Sequence, residues 1–212
     1  MSANWEEQYK QGHGRYFPSE ELVRFLGRTY GSMPNRKAAL LSALDIGSGV
    51  GGNTWALAQW GFFTYGLEVS TEAIKLANIH SRLNGFEHAK EFRQYKAPSS
   101  VNLPARSVSL AIDIQTIQHL TDEEHLAMYT EIRRLLGYGG RFFTVHWAGM
   151  EEAADKIFPA HPELKKWKQA VFEIPVMLMN LDFRIAYCET VEKTYAHSSK
   201  PARWLVIEAV KP

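Results

Sequence analysis

The chain has 212 residues, 45% of them hydrophobic and 22% charged, with a formal net charge of +1. This is the balance of one globular domain, not of a disordered chain, and it offers no bulk field for nucleic acid or an anionic membrane. The lone cysteine, Cys188, rules out an internal disulfide and a cysteine-built metal site.

The start of the chain, from Met1 to Glu7, is polar and acidic and lacks the basic and apolar regions of a signal peptide. No apolar run approaches the roughly 20 residues of a membrane span, so a cytoplasmic protein is expected. Residues 1–36 read as an N-terminal helical cover. Ser19 caps a helix whose first turn carries Glu20 and Glu21, and Leu22, Phe25 and Leu26 form its apolar face. Gly27 or Gly31 ends it. A strand at 40–46, a helix at 53–60 and a strand at 62–68 follow. Ser70 or Thr71 opens a helix with Ala73, Leu76, Ala77 and Leu83 at roughly helical spacing. Strands at 91–96 and 108–114 flank the loop 98–106. Thr121-Asp122-Glu123-Glu124 is a capping box for a helix running to about residue 136, ended by Gly137-Tyr138-Gly139-Gly140. A strand at 141–146, a helical insertion at 148–181 and strands at 183–190 and 204–210 complete the chain. The apolar run around Cys188 favours a small buried side chain there. Alternation of strands and helices signals an α/β sheet with helices on both faces.

The most informative stretch is Leu44-Asp45-Ile46-Gly47-Ser48-Gly49-Val50-Gly51-Gly52-Asn53-Thr54. A triphosphate loop would need a lysine where Asn53 stands, so that reading fails. Gly47, Gly49 and Gly52 satisfy a dinucleotide fingerprint, and Glu68 supplies the acid near twenty residues on. An NAD-dependent oxidoreductase therefore stays open. The order Asp45, Gly47, Gly49, Gly51, after an apolar strand, closely resembles the first motif of class I S-adenosylmethionine-dependent methyltransferases. The absence of Lys and Arg from residues 38–73 suits a cationic sulfonium better than a 2′-phosphate. The resemblance covers roughly residues 38–212.

That resemblance implies a Rossmann-like fold, with a seven-stranded, mostly parallel sheet, helices on both faces and an antiparallel last strand. It implies S-adenosylmethionine as cofactor, held by Asp45, Gly47, Ser48, Gly49, Gly51 and Asn53 in the loop. Glu68 would accept both ribose hydroxyls, a task suited to an acceptor-only carboxylate. Val69 would pack on the adenine. Lys96 and Ala97 occupy the third strand end, where the family often has an acid for the adenine amine. An ammonium cannot accept that hydrogen bond, so Gln94, Ser99 or a backbone carbonyl is the substitute, or the strand ends elsewhere. Asp113, Ile114 and Gln115 would lie beside the methionine part. Asp113 would meet its amine or cap the strand.

His119 is a catalytic candidate, with a packed structural histidine as the alternative, and His146 is a second candidate at the fifth strand end. With Trp147, Phe158, Trp167 and Met177, His146 suggests an apolar acceptor pocket. Trp5 and Tyr9 have the spacing of an N-terminal segment that closes over the cofactor in several small methyltransferases, and Arg15 and Tyr16 belong to the same cover. The eight histidines show no metal-ligand spacing. The expected activity is methyl transfer to an oxygen or nitrogen of a small molecule, without nucleic acid or membrane partners. A S-adenosylmethionine-binding partner protein without activity is the other alternative.

Overall fold

Capped helices alternate with runs rich in Leu, Ile, Val and Phe, and successive parallel strands need such helices as crossovers. The structure, a computed structural model, describes residues 4–31, 41–96, 101–149, 170–193 and 202–212. In chain order the elements are α1 (Trp5–Lys10), α2 (Glu20–Tyr30), β1 (Leu41–Ile46), α3 (Gly52–Gln59), β2 (Phe62–Glu68) and α4 (Thr71–Leu83). Then come β3 (Lys90–Gln94), β4 (Val108–Ile114), α5 (Asp122–Leu135), β5 (Leu136–Gly149), α6 (Ala170–Asn180), β6 (Arg184–Lys193) and β7 (Ala202–Val210). Among the described residues no helix is long and apolar enough to cross a membrane.

The seven strands form one sheet in the order β3-β2-β1-β4-β5-β7-β6. The first five pair in parallel, and β7 runs antiparallel to both β5 and β6. The carboxyl ends of β1 to β4 therefore share one edge of the sheet, with Ile46 beside Leu67 and Asp113, and Glu68 beside Gln94.

Both faces of the sheet are covered. On one face Leu22, Phe25 and Leu26 of α2 and Ala56 and Leu57 of α3 pack on Leu110, Ile112, Phe143 and Val145. Phe25 stacks on Phe143 with centroids 4.4 Å apart. On the other face α5 contributes Met128, Tyr129, Ile132 and Leu135, and α6 contributes Ile174 and Leu178. Strand periodicity sorts β5 between the two: Phe143, Val145 and Trp147 face α2 and α3, while Phe142 and Ala148 face α5 and α6.

Ser19 caps α2 through Leu22 N, Ser70 caps α4 through Ala73 N, and Thr121 with Glu124 forms the capping box of α5. Two boundaries differ from expectation in ways that matter for the site. β3 ends at Gln94, two residues early. β5 begins at Leu136, because Gly139 N donates to Lys211 O and Lys211 N to Gly140 O, drawing the glycine run against the chain end. Of the expected insertion at 148–181, residues 150–169, including Phe158 and Trp167, lie outside the described residues. So do Ala97 and Ser99. Cys188 is exposed, not buried. Side chains alternate across the edge strand β6, and Cys188 shares its exposed side with Arg184, Ala186 and Thr190.

Candidate active site

The loop between β1 and α3 turns back on itself under β2. Gly47 N and Ser48 N both donate to Leu67 O, at 2.8 and 3.0 Å, and Gly51 N donates to Ser48 O at 2.9 Å. Gly47 has φ +69, and a Cβ there would stand 1.9 Å from Thr116 Oγ1, so only glycine lets the end of β4 close on the loop. Gly52 meets a different neighbour. A Cβ on it would lie 2.4 Å from Arg15 O and 2.8 Å from Phe17 O, because the cover's backbone crosses directly over this position.

Three carboxylates stand at the adjoining strand ends. Glu68, buried, accepts from Gly49 N at 3.0 Å through Oε2 and from Ser70 N at 2.9 Å through Oε1. Burial raises its pKa against the pull of these amides. Asp45 accepts from Thr54 Oγ1 at 2.7 Å through Oδ2, while its Oδ1 is buried without a hydrogen bond. Burial pushes its carboxyl up to about 7, and the nearby Glu68 and Asp113 add to that. Asp113 grips the turn after β4, accepting from Thr116 N at 2.9 Å and Ile117 N at 3.0 Å, and takes Thr144 Oγ1 at 2.7 Å. This turn holds Gln115 in the left-handed region at φ +67, a strained state for a residue with a Cβ.

These edges enclose a cavity of about 1140 Å³. Of the predicted residues, Gly47, Ser48, Gly49, Asn53, Glu68, Val69, Lys96, Ile114, Gln115 and His119 line it. Asp45 and Asp113 lie behind the wall, fully buried, and Gly51 is outside the lining. Asn53 anchors the cover, accepting from Ser19 N at 3.0 Å. Because β3 stops at Gln94, its end brings Tyr95 to the wall beside Lys96, and Gln94 Nε2 donates to Val69 O at 3.2 Å.

His146 is placed differently from expectation. It shares the α5-facing side of β5 with Phe142 and Thr144, fully buried, with Nε2 3.1 Å from the Tyr129 hydroxyl and 3.3 Å from Asp113 Oδ2. Burial, with His119 nearby, drives its pKa down to about 3, so the ring is neutral. Trp147 is likewise core, its ring edge-on to Trp204 at 4.7 Å, and Trp204 lines the cavity in its place. Met177 packs against the α5 and α6 core. His119, on a 3-10 turn, does reach the cavity, with its ring 5.0 Å from Trp5.

The cover supplies much of the remaining wall: Asn4, Glu6, Gln8, His13 and Gly14 join Trp5, Tyr9 and Arg15. Tyr9 is buried against Gly49, and burial beside Glu68 and Asp45 raises its phenol well above the usual value. Thr116, Gln118, Met128 and Trp204 also line the cavity without having been singled out from sequence. Each looks locally like an ordinary core or turn residue.

The loop suits a cationic ligand without a phosphate. The amides of Gly47, Ser48, Gly49 and Gly51 all donate within the protein, so they present no anion nest of the kind a pyrophosphate uses. Two buried polar atoms at the loop, Asp45 Oδ1 and Ser48 Oγ, have no hydrogen-bond partner, and the nearby charge is carboxylate. S-adenosylmethionine, with a sulfonium, an ammonium and a ribose diol, fits this donor and acceptor set.

Residues 43–140 match a family profile described as a methyltransferase domain. No curated protein matches the sequence. Among solved structures, a putative methyltransferase from Bacillus halodurans is 14% identical, with a TM-score of 0.70, covering 92% of this chain and 100% of that one. Phosphoethanolamine N-methyltransferase 2 of Haemonchus contortus, in complex with S-adenosyl-L-methionine, is 18% identical with a TM-score of 0.68, over 97% of this chain and 56% of that one. The [4+2]-cyclase SpnF is 17% identical with a TM-score of 0.65, over 95% and 88%. Residues 43–140 thus match a methyltransferase domain, and the fold is the one these solved structures share.

Proposed function

We propose that the chain, acting as one domain over residues 1–212, moves the methyl group of S-adenosylmethionine to an oxygen or nitrogen of a small molecule in the cytoplasm. The observation that carries this reading is the single cavity running from Glu68 and Val69, past Gly49 and Gln115, to His119, Met128 and Trp204. Its volume of about 1140 Å³ suits a cofactor and a small acceptor together.

When bound, S-adenosylmethionine supplies an activated methyl group and a thioether leaving group. Glu68 accepts from the ribose hydroxyls with the lone pairs left by Gly49 N and Ser70 N. Val69 and Tyr95 flank the adenine, with the backbone near Lys96. Asp45, Ser48 and Asp113 set the negative potential behind the sulfonium, and Arg15 meets the methionine carboxylate. Ile114 and Gln115, held by Asp113, shape the wall beside the methyl group. Trp5, Gln8, Leu120, Met128 and Trp204 bound the acceptor, and His119 takes its proton on a ring nitrogen where the acceptor holds one at neutral pH. His146 supports the floor through Asp113 and Tyr129 and does not touch substrate. Rate enhancement comes mainly from orientation and exclusion of water. The described part of the cover, residues 4–31, completes the acceptor side.

The committed loop amides count against the NAD reading. Calorimetry with S-adenosylhomocysteine and NAD tests this directly: the first binds and the second does not. NAD binding without S-adenosylhomocysteine binding reverses the assignment. A metabolite panel with labelled methyl donor then identifies the acceptor, and no transfer to any member favours a binding partner without activity.

A further inference from the structure

The cover is pinned to the start of α4 at a point that no motif predicts. Glu6, in α1, accepts from Ser70 Oγ at 2.7 Å and Thr71 Oγ1 at 3.0 Å, and from Glu72 N at 3.3 Å. These residues are the N-cap and the first two residues of α4. The hydrogen bond from Ser70 lowers the Glu6 pKa, so the carboxylate is ionised at neutral pH. An anion at a helix N-terminus is also favoured by the orphan amides there.

Ser70 is the junction. Its hydroxyl donates to Glu6 and receives Ala73 N, while its own amide donates to Glu68 Oε1 at 2.9 Å. One residue therefore joins the cover's carboxylate to the carboxylate at the end of β2. From this pin α1 extends Tyr9 over Gly49 and Trp5 to His119, so it spans the cavity from one end to the other.

We propose that Glu6 is a positioning residue for the nucleoside half of the cofactor, acting through Ser70 and Thr71 to hold Glu68 and α1 in one arrangement. The inference rests on the reading of Glu68 as the ribose-binding acid. Without the pin, Ser70 keeps its place as helix cap, but α1 loses its fixed seat beside Glu68. Nucleoside binding and closure of the cover are then uncoupled.

The test is calorimetry of the full-length protein with S-adenosylhomocysteine and with adenosine. Glu6→Gln weakens both by the same factor, about tenfold, as expected for losing charge-assisted hydrogen bonds. The ligand-free protein still unfolds cooperatively, with a midpoint lower by about 2–4 °C. Thr71→Val, at an exposed site, gives a smaller loss, and the double variant is no weaker than Glu6→Gln alone, since both changes break one connection. S-adenosylhomocysteine protects the chain from trypsin after Arg15 in the wild type and not in Glu6→Gln. Unchanged affinity overturns the proposal, as does a lower ligand-free midpoint with affinity intact. Additive losses in the double variant also overturn it, because Glu6 would then touch the ligand itself. If the wild type binds neither compound, the cofactor reading fails first and separately.

Discussion

Glu68 Oε2 receives the amide of Gly49 at 3.0 Å, so the carboxylate at the end of β2 holds the glycine loop that follows β1. Two segments that a motif search treats as separate signals are one hydrogen-bonded unit. A ligand that engages Glu68 also acts on the loop.

Glu68→Ala removes the proposed acceptor of the ribose diol and leaves Gly49 N and Ser70 N without their partner. Each hydrogen bond to a charged group contributes about 1.5–3 kcal/mol, so S-adenosylhomocysteine affinity falls about 100-fold. Calorimetry of the variant checks this. An affinity equal to that of the wild type would remove Glu68 from the site.

Asp45 predicts opposite effects on stability and binding. Burial raises its folded pKa to about 7 from an ordinary value of 3.8, so between these values the folded state binds more protons than the unfolded one. Its contribution to stability is therefore greatest at low pH and declines as pH rises through that window. Asp45→Asn relieves the buried charge. At pH 8 its ligand-free midpoint rises by roughly 2–4 °C for each kcal/mol gained, and the decline with pH is smaller. Binding of S-adenosylmethionine weakens at the same time, because negative potential behind the sulfonium is lost. Thermal scans from pH 4 to 8, with paired calorimetry, measure both signs.

His146 behaves in the reverse sense. Its folded pKa is held near 3 by burial, against an ordinary value of 6.5. The neutral ring stabilises the fold fully above the unfolded value, and that contribution is lost as pH falls from about 6.5 toward 3. His146→Gln costs about 2 kcal/mol at pH 8 through lost packing and hydrogen bonding. The gap between variant and wild type then narrows on acidification. Denaturant titrations at pH 5 and pH 8 give the comparison, and a gap independent of pH would contradict the buried neutral ring.

Gly52→Ala places a methyl group against backbone atoms of Arg15 and Phe17, which cannot rotate away. The cover must lift, so trypsin cleavage after Arg15 accelerates and S-adenosylhomocysteine binds more weakly. Cleavage kinetics by mass spectrometry check it, with Gly27→Ala as a control because a Cβ there meets nothing within 4 Å.

The strand-end acids and the glycine loop beside the cavity were largely legible in the chain. Asp45, the glycines and Glu68 fall at consecutive strand ends, and parallel pairing brings such ends to one edge. The third strand end was misjudged at Lys96 because the strand stops at Gln94, and a short edge strand carries little periodicity to mark its end. For His146 the alternation of β5 held the answer. Both faces of that strand are buried, however, so no apolar-polar contrast tells which face meets helix α5 and which meets α2 and α3.

Glu6 gave no local signal at all. Its partners Ser70, Thr71 and Glu72 are 64 to 66 residues away, and beside Glu7 it reads only as a charge in the first turn of a short helix. The same holds for Gln8, Thr116 and Trp204, which meet around one cavity from three distant parts of the chain. Fold class, and the cofactor proposed from it, could be read from residues 44–68 because the glycine turn and both strand-end acids are contiguous features with local causes. The walls of the cavity, the burial of His146 and the pin at Glu6 arise only when the sheet closes and the cover crosses it. They depend on packing between elements that the linear order keeps apart.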